Sequence, residues 1–254
     1  MEETKRRRFI IRAVLEGEVD VQDTPAPVPH YVTDGLIHRW DAIDNTGTGH
    51  SAAATVWKDL VGEYDLNIHG TEITWGDDYV QFTGDTASFF YSDANDVEDP
   101  SGKTVEIVMI PESASTGCVG QFFYQSGHGN DARGKIVLYS DLTWASQGMS
   151  ARTWESGVNS LSDLKYVGAT FTSTGAVSEA YANGAEVAQS ANTHSLRYSI
   201  NRMLVGGQMQ SWSGSPSIAY PFVGKVKAIR IYNRELTAEE IAQNHSADVA
   251  IYGI

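Results

Sequence analysis

A single cysteine, Cys118, stands in 254 residues, so no intrachain disulfide framework can staple this chain. Its stability must come from burial, and a reducing cytosol is compatible with folding. Cys118 lies close to the apolar run Phe122-Phe123-Tyr124 and reads as a buried small hydrophobe rather than a nucleophile. Basic residues are scarce. The 18 Lys and Arg face 32 Asp and Glu, a net charge of −14, which excludes nucleic acid as the main partner because phosphate binding needs a basic surface. An acidic surface does permit calcium sites. The chain has no apolar run of about 18 residues, so no transmembrane helix and no membrane insertion are expected. Near the N-terminus, Arg12 ends the apolar stretch Phe9-Ile10-Ile11 too early for the core of a secretion signal, and none is expected.

Proline is also sparse, and its placement is informative. Pro25, Pro27 and Pro29 alternate within residues 24–29, which predicts a stiff polyproline spacer. Before it, five of the 18 basic residues crowd into positions 5–12. The sequence divides into an N-terminal arm at 1–23, a linker at 24–33 and a globular domain at 34–254. With 24 Gly, 12 Tyr, 8 Phe and 6 Trp, the domain suits many short strands joined by turns. Asn183-Gly184 between Tyr181 and Glu186 predicts a tight hairpin, since both central residues need positive φ. Residues 127–131 read as a loop between strands near 121–125 and 135–139. A long alternating strand through Val226, Ala228, Ile229 and Ile231 stops at Asn233. There Thr237 and Glu240 form a capping box and Leu236 and Ile241 a hydrophobic staple, opening a short helix over residues 238–243.

The ending Phe222-x-Gly224 … Ile229-Arg230-Ile231-Tyr232-x-Arg234-x-Leu236-Thr237-x-Glu239-Glu240-Ile241 resembles that of laminin-G-like, concanavalin-A-like jelly rolls. Several further segments are similar to that family in order. They are Gly35-Leu36-Ile37, Trp57-Lys58-Asp59-Leu60-Val61-Gly62, residues 76–84, residues 104–111, residues 166–171, Tyr181-Ala182-Asn183-Gly184, and Leu204-Val205-Gly206-Gly207. The likeness spans roughly residues 34–245. It implies an all-β, two-sheet antiparallel jelly-roll sandwich with a short C-terminal helix, preceded here by an extended arm. Trp40, Phe82, Val105, Ile107, Phe171, Ile229 and Ile231 are expected in its core, together with Trp57, and the first and last strands should be neighbours.

The same class of jelly roll serves lectins and glycoside hydrolases, so paired carboxylates matter. Retaining hydrolysis needs two of them about 5–5.5 Å apart. The Glu-x-Asp-x-x-Glu strand pattern of the related hydrolases is missing. Glu106 reads as alone on its strand, and Asp96, Glu98 and Asp99 as a solvated acidic turn. No Gly-x-Ser-x-Gly, His-Glu-x-x-His or Cys–His arrangement is present. No enzyme is expected.

Binding is better provided for. Asp41, Asp44 and Asn45 share a Gly-rich loop and offer oxygen ligands for calcium, with a turn closed by Asx hydrogen bonds as the alternative. Trp144, Trp154 and Trp212 sit in polar surroundings as candidate sugar-stacking rings, or as half-buried strand residues. Asn130, Asp131 and Arg133 occupy a neighbouring loop that could serve sugar hydroxyls. In the arm, Lys5, Arg6, Arg7 and Arg8 precede Phe9, Ile10 and Ile11, which is too apolar for a solvated basic tail. The arm reads as a peptide that adds a strand to a partner's sheet edge. A nuclear-localisation or RNA-binding patch and a disordered terminus are the competing readings. The combination suggests a structural component on a bacteriophage virion surface: a head fibre, decoration or tail-associated protein made in the host cytoplasm. Residues 1–23 would hold it to a capsid or tail protein and the jelly roll would bind surface glycans. A bacterial carbohydrate-binding or adhesion module at the cell surface is the alternative, and a glycoside hydrolase the third. A homo-oligomer is left open.

Overall fold

The computed structural model describes residues 30–113, 115–123, 135–141, 143–147, 151–155, 157–174, 177–187, 189–190, 202–211 and 214–254. In chain order the strands are β1 (Leu36–Asp41), β2 (Val56–Trp57), β3 (Leu66–His69), β4 (Ile73–Gly76), β5 (Tyr79–Thr83), β6 (Phe89–Tyr91), β7 (Thr104–Pro111), β8 (Gly117–Gln121), β9 (Lys135–Leu138) and β10 (Thr143–Gln147). They continue as β11 (Ala151–Glu155), β12 (Tyr166–Phe171), β13 (Val177–Ala182), β14 (Ala185–Glu186), β15 (Gln189–Ser190), β16 (Leu204–Val205), β17 (Gln208–Ser211), β18 (Ser217–Ala219) and β19 (Val223–Tyr232). A single α-helix among the described residues, α1 (Ala238–Tyr252), follows.

The strands form two antiparallel sheets. The first runs β14-β13-β12-β7-β19-β5-β4, with β1 also paired to β19. The second runs β15-β11-β10-β9-β8-β16-β6-β3-β2, and β17 and β18 make a separate hairpin. The first and last strands are neighbours as expected, with Trp40 opposite Ile229.

Period-two alternation sorts the side chains into layers. On β7, Val105, Ile107 and Met109 enter the core between the sheets, while Val108 joins an outer cluster under α1. On β19, Ile229 and Ile231 face inward, and Ala228 and Tyr232 face the helix. A bulge between Val226 and Ala228 resets the alternation. All seven residues expected in the core are at most 2% exposed. Trp57 joins them beside Trp75 and Phe90, at ring-centroid distances of 5.5 and 5.4 Å. Cys118 is buried. The Asn183-Gly184 turn has φ of 48° and 77°, the two positive values that a two-residue hairpin of this kind demands.

Two expectations are corrected. The capping box of Thr237 and Glu240 starts α1, but the helix runs to Tyr252 rather than ending near residue 243. Its inner face, Ile241, Asn244, Ala247, Asp248 and Tyr252, contains two polar residues, which hid the helical period in the sequence. The boundary at residue 34 also moves. Val32 N donates to Asn244 Oδ1 at 2.6 Å and its carbonyl accepts from the Tyr232 hydroxyl at 3.0 Å. The His30 carbonyl accepts from Gln243 Nε2 at 2.9 Å. His30 and Val32 are therefore bonded to the domain through α1 and β19, and of the linker only residues 24–29 lie outside the described residues.

Candidate functional site

The most concentrated charges lie between the first sheet and α1. Glu106 and Arg230 are opposite each other on β7 and β19, and both point toward the helix. Arg230 Nε donates to Glu106 Oε2 at 3.0 Å, and its Nη atoms grip Asp248 at 2.8 and 2.5 Å. Asn244, one turn before Asp248, donates to Glu106 Oε2 at 2.8 Å and to the Tyr232 hydroxyl at 3.1 Å. Tyr166 donates to the other oxygen of Glu106. Burial pushes the Glu106 carboxyl up against the pull of Arg230. For Arg230, burial opposes the charge, but the two carboxylates outweigh it and hold the guanidinium firmly protonated. Glu106 is thus not the lone carboxylate that its strand suggested. Its partners come from β12, β19 and α1, and it is sealed from solvent.

A second cluster surrounds Asp59, the acidic residue of Trp57-Lys58-Asp59-Leu60-Val61-Gly62. Its carboxylate accepts the backbone N–H groups of Arg39, Val61, Gly62 and Tyr64 at 2.9–3.1 Å. His38 Nδ1 adds a bond at 2.6 Å, while its Nε2 faces Glu98 Oε1 at 3.5 Å. Glu98 also pairs with Lys103 at 3.4 Å, so it is not a solvated acid as the acidic turn implied. The His38 ring stacks on Tyr64 at 4.5 Å. Burial opposes charging His38, but the bonds to Asp59 and Glu98 prevail and raise its pKa. Burial likewise opposes ionising Asp59, and the His38 and backbone bonds overcome it to lower the carboxyl's pKa. Glu98 is held low first by its bond to His38.

These shifts fix a pH dependence. The raised His38 stabilises the fold fully below its ordinary range, near about pH 6.5, and that contribution fades as pH rises through its folded value. The lowered Asp59 and Glu98 stabilise above the usual carboxylate range and lose this as pH falls. In thermal melts, the advantage of the wild type over His38→Gln should therefore shrink as pH rises above about 6.5. A constant gap as pH rises would refute the assignment.

The calcium candidates do come together, but as a turn. Asp41 Oδ1 accepts from Ile43 N at 2.9 Å, and its Oδ2 accepts from Arg39 Nη2 at 3.0 Å. Asp44 Oδ1 accepts from Gly49 N at 2.7 Å, and Asn45 Oδ1 from Ser51 N at 2.8 Å. One side-chain oxygen of each residue accepts a backbone N–H within the loop, as in Asx turns. No group of three or more His, Cys, Asp or Glu suited to a metal ion occurs among the described residues.

The stacking candidates fare differently. Trp144 is fully buried in the core between the sheets, so it cannot be a sugar platform; as an inward position of β10 it packs instead. The backbone of Trp154 on β11 is paired with that of Trp144 on β10, and its side chain lies outside the described residues. Trp212, Asn130, Asp131 and Arg133 lie outside them too, as do Lys5, Arg6, Arg7, Arg8, Phe9 and Ile11 of the arm.

The outer face of the second sheet carries a group that the sequence reading missed. Gln121 on β8 and Lys135 on β9 are opposite each other. Both reach the β17–β18 hairpin: Lys135 Nζ donates to Gln208 Oε1, and Gln121 Oε1 accepts from Met209 N at 2.9 Å. All three polar side chains are 0–1% exposed. Burial pushes the Lys135 amine down to about 8, and the Cys118 thiol near it up to about 11. Nearby on β8, the Tyr220 carbonyl accepts from Cys118 N at 2.7 Å. Tyr220 itself is 50% exposed and has a φ of 49°. A non-glycine residue in that left-handed region is uncommon and tends to mark function. The only advance signal was a lysine opening the apolar strand Lys135-Ile136-Val137-Leu138.

Comparison with known structures agrees with this architecture. Trypanosoma rangeli sialidase superposes with a TM-score of 0.55 at 15% identity, over 98% of this chain but 39% of that one. This chain thus spans about two-fifths of the sialidase. Domain 4 of AbnA, a GH43 extracellular arabinanase from Geobacillus stearothermophilus solved with arabinotriose, superposes at 0.51 with 15% identity, covering 83% of this chain and 98% of that domain. The receptor binding domain of a botulinum neurotoxin C/D mosaic serotype gives 0.55 at 12% identity, over 86% and 52% of the two chains. At these identities the likeness is one of fold. No match was found among curated proteins. Residues 74–242, about two-thirds of the sequence, match a laminin-G-type family, and the chain belongs to the concanavalin A-like lectin/glucanases superfamily.

Proposed function

We propose that this chain is a non-enzymatic carbohydrate-binding module that a larger particle displays through residues 1–23. The observation that carries the reading is the distribution of carboxylates. The nine strands of the second sheet contain one, Glu155. At the centre of the first sheet, Glu106 is neutralised by Arg230 and roofed by α1. A paired-carboxylate hydrolase needs two such groups free across one bond. The second sheet instead carries donor side chains under the β17–β18 hairpin, and the connection after β18 exposes an aromatic, Tyr220, a combination that suits sugar recognition without turnover. The arabinanase domain solved with arabinotriose has the same fold and supports the reading by analogy. Retention of labelled glycans on the immobilised protein, with no product release on prolonged incubation, is the expected result. Released product would overturn the non-enzymatic assignment.

The display half rests on the arm. Residues 5–8 are basic, residues 9–15 are apolar apart from Arg12, and the alternating prolines end where His30 and Val32 bond to α1. Such a short segment cannot bury enough apolar surface to order itself alone. We place it as a strand added to the sheet edge of a virion protein of a head fibre, decoration or tail assembly. Deleting residues 1–23 should abolish incorporation into the particle and leave the melting temperature nearly unchanged. A truncated chain that unfolds or aggregates would make the arm part of its own domain, and a free-standing bacterial adhesion module would then be the better account.

A further inference from the structure

Lys135 is the strongest anomaly in the molecule. A lysine is almost never fully buried unless paired, yet this one is 1% exposed. Its hydrogen bond goes to a neutral amide, Gln208, and no carboxylate pairs with it among the described residues. Across the sheet, the Nε2 of Gln121 is buried with no acceptor among the described residues, although its Oε1 is held by Met209 N. Two adjacent donors with unmet capacity, one of them cationic, are costly. An unsatisfied buried polar group costs about 1–3 kcal/mol, and a charged one more. Burial pushes the amine down to about 8. A site that keeps a desolvated cation beside an unused amide donor is complementary to an anion with several acceptor atoms.

Its neighbours indicate how that anion is carried. Gln121 and Lys135 bond to the first two residues of the β17–β18 hairpin, and the connection from β18 to β19 runs through Tyr220. Tyr220 is bonded to the backbone of Cys118, whose β9 partner Val137 is two residues from Lys135. The half-exposed Tyr220 is therefore held, through its backbone, beside the paired strands that carry the buried donors. Rings of this kind stack on sugars, whereas the donors need an acid. The net charge of −14 makes this local cation more telling, since the rest of the surface repels anions.

We infer that Lys135 and Gln121 form the subsite that reads the carboxylate of an acidic saccharide, with Tyr220 as the platform for an adjoining ring. This rests on the carbohydrate-binding reading above and names its substrate class. The carboxylate reaches the donors by displacing the Gln208 amide from Lys135, so the β17–β18 hairpin is the element that moves.

The test uses the full chain and two pairs of ligands that differ in the carboxylate: oligogalacturonates against their methyl esters, and sialyllactose against lactose. Calorimetric titration should show the acid form of at least one pair bound about tenfold tighter or more, the loss expected for a charge-assisted bond. The pair that responds identifies the sugar. Lys135→Met should erase the preference while raising the melting temperature of the free protein, because a buried cation gives way to an apolar side chain of similar size. Gln121→Leu, which keeps the lysine, should reduce the preference without erasing it, and stands in if Lys135→Met fails to fold. Equal binding of acid and neutral forms, or a preference that survives both substitutions, would overturn the subsite while leaving carbohydrate binding intact. If none of the four ligands binds, the subsite falls; if a broad glycan array is also silent, the carbohydrate reading falls with it.

Discussion

Arg230→Met should lower the melting temperature by about 10 °C or more. Removing one member of a buried ion cluster typically costs about 3–5 kcal/mol, because the abandoned charges remain desolvated. For a domain of this size each kcal/mol moves the midpoint by roughly 2–4 °C. Here two carboxylates are abandoned at once, Glu106 and Asp248, both fully buried. The helix is the part expected to respond first, since Asn244 and Asp248 are its polar attachments to the sheet. The contrast lies in the triple replacement Glu106→Leu, Arg230→Met, Asp248→Leu. It removes every charge of the cluster together and should recover most of the loss, because an apolar substitute for a complete ion cluster is often neutral or better. Calorimetry of both variants decides. A single variant as stable as wild type would mean that the cluster contributes little and that apolar contacts of Tyr232, Leu236 and Ile241 alone hold α1.

Asp59→Ala should be comparably severe, for a different reason. Asp59 is the hub of a backbone turn: four N–H groups and the His38 imidazole end on its two oxygens. Its side chain is fully buried. Cutting it to a methyl leaves those donors without acceptors, at about 1–3 kcal/mol for each one that water cannot reach. Val61 is exposed and its N–H can be hydrated, which leaves Arg39, Gly62 and Tyr64 to set the cost. A loss of about 3 kcal/mol or more is expected in chemical denaturation. Asp59→Asn keeps one acceptor oxygen and should fall between the two, with the pH dependence assigned to His38 weakened. If Asp59→Ala costs less than about 1 kcal/mol, the turn is held by other bonds and the acidic position of the motif has another purpose.

These two sites also show where the sequence was readable. Asp59 belongs to a short motif whose residues are local to one another, so the spacing of Trp57, Asp59 and Gly62 could be recognised, although its role as a backbone acceptor could not. Local alternation identified the core residues of β7 and β19, and a local cap identified the start of α1. The Glu106–Arg230–Asp248 cluster was not legible. Its members are separated by 124 and 18 residues, and each looks like an ordinary exposed polar residue on its own element. The same non-locality hid Lys135, Gln121 and Gln208. In a strand, a polar residue in alternation reads as solvent-facing, and only the folded hairpin above reveals that the face is covered. Trp144 erred in the opposite sense. Polar neighbours in sequence suggested a wet setting, while its own register turned it inward.

The position of β19 has a consequence for how the chain is made. One edge of this strand pairs with β7, and the other is shared by β5 and β1. Until it is added, the first sheet exists as two unconnected groups, β14-β13-β12-β7 on one side and β5-β4 on the other, with β1 attached to neither. At a synthesis rate of roughly 5–20 residues per second, β1 waits many seconds for its partner β19, which follows it by nearly two hundred residues. During that wait the ribosome-bound polypeptide exposes unpaired edges and the apolar residues of β1, β5 and β7, which makes it a natural client for holdase chaperones. Folding is then gated by the emergence of β19, and nonsense or frameshift products that stop before Tyr232 should be cleared or aggregate rather than persist as smaller lectin-like fragments.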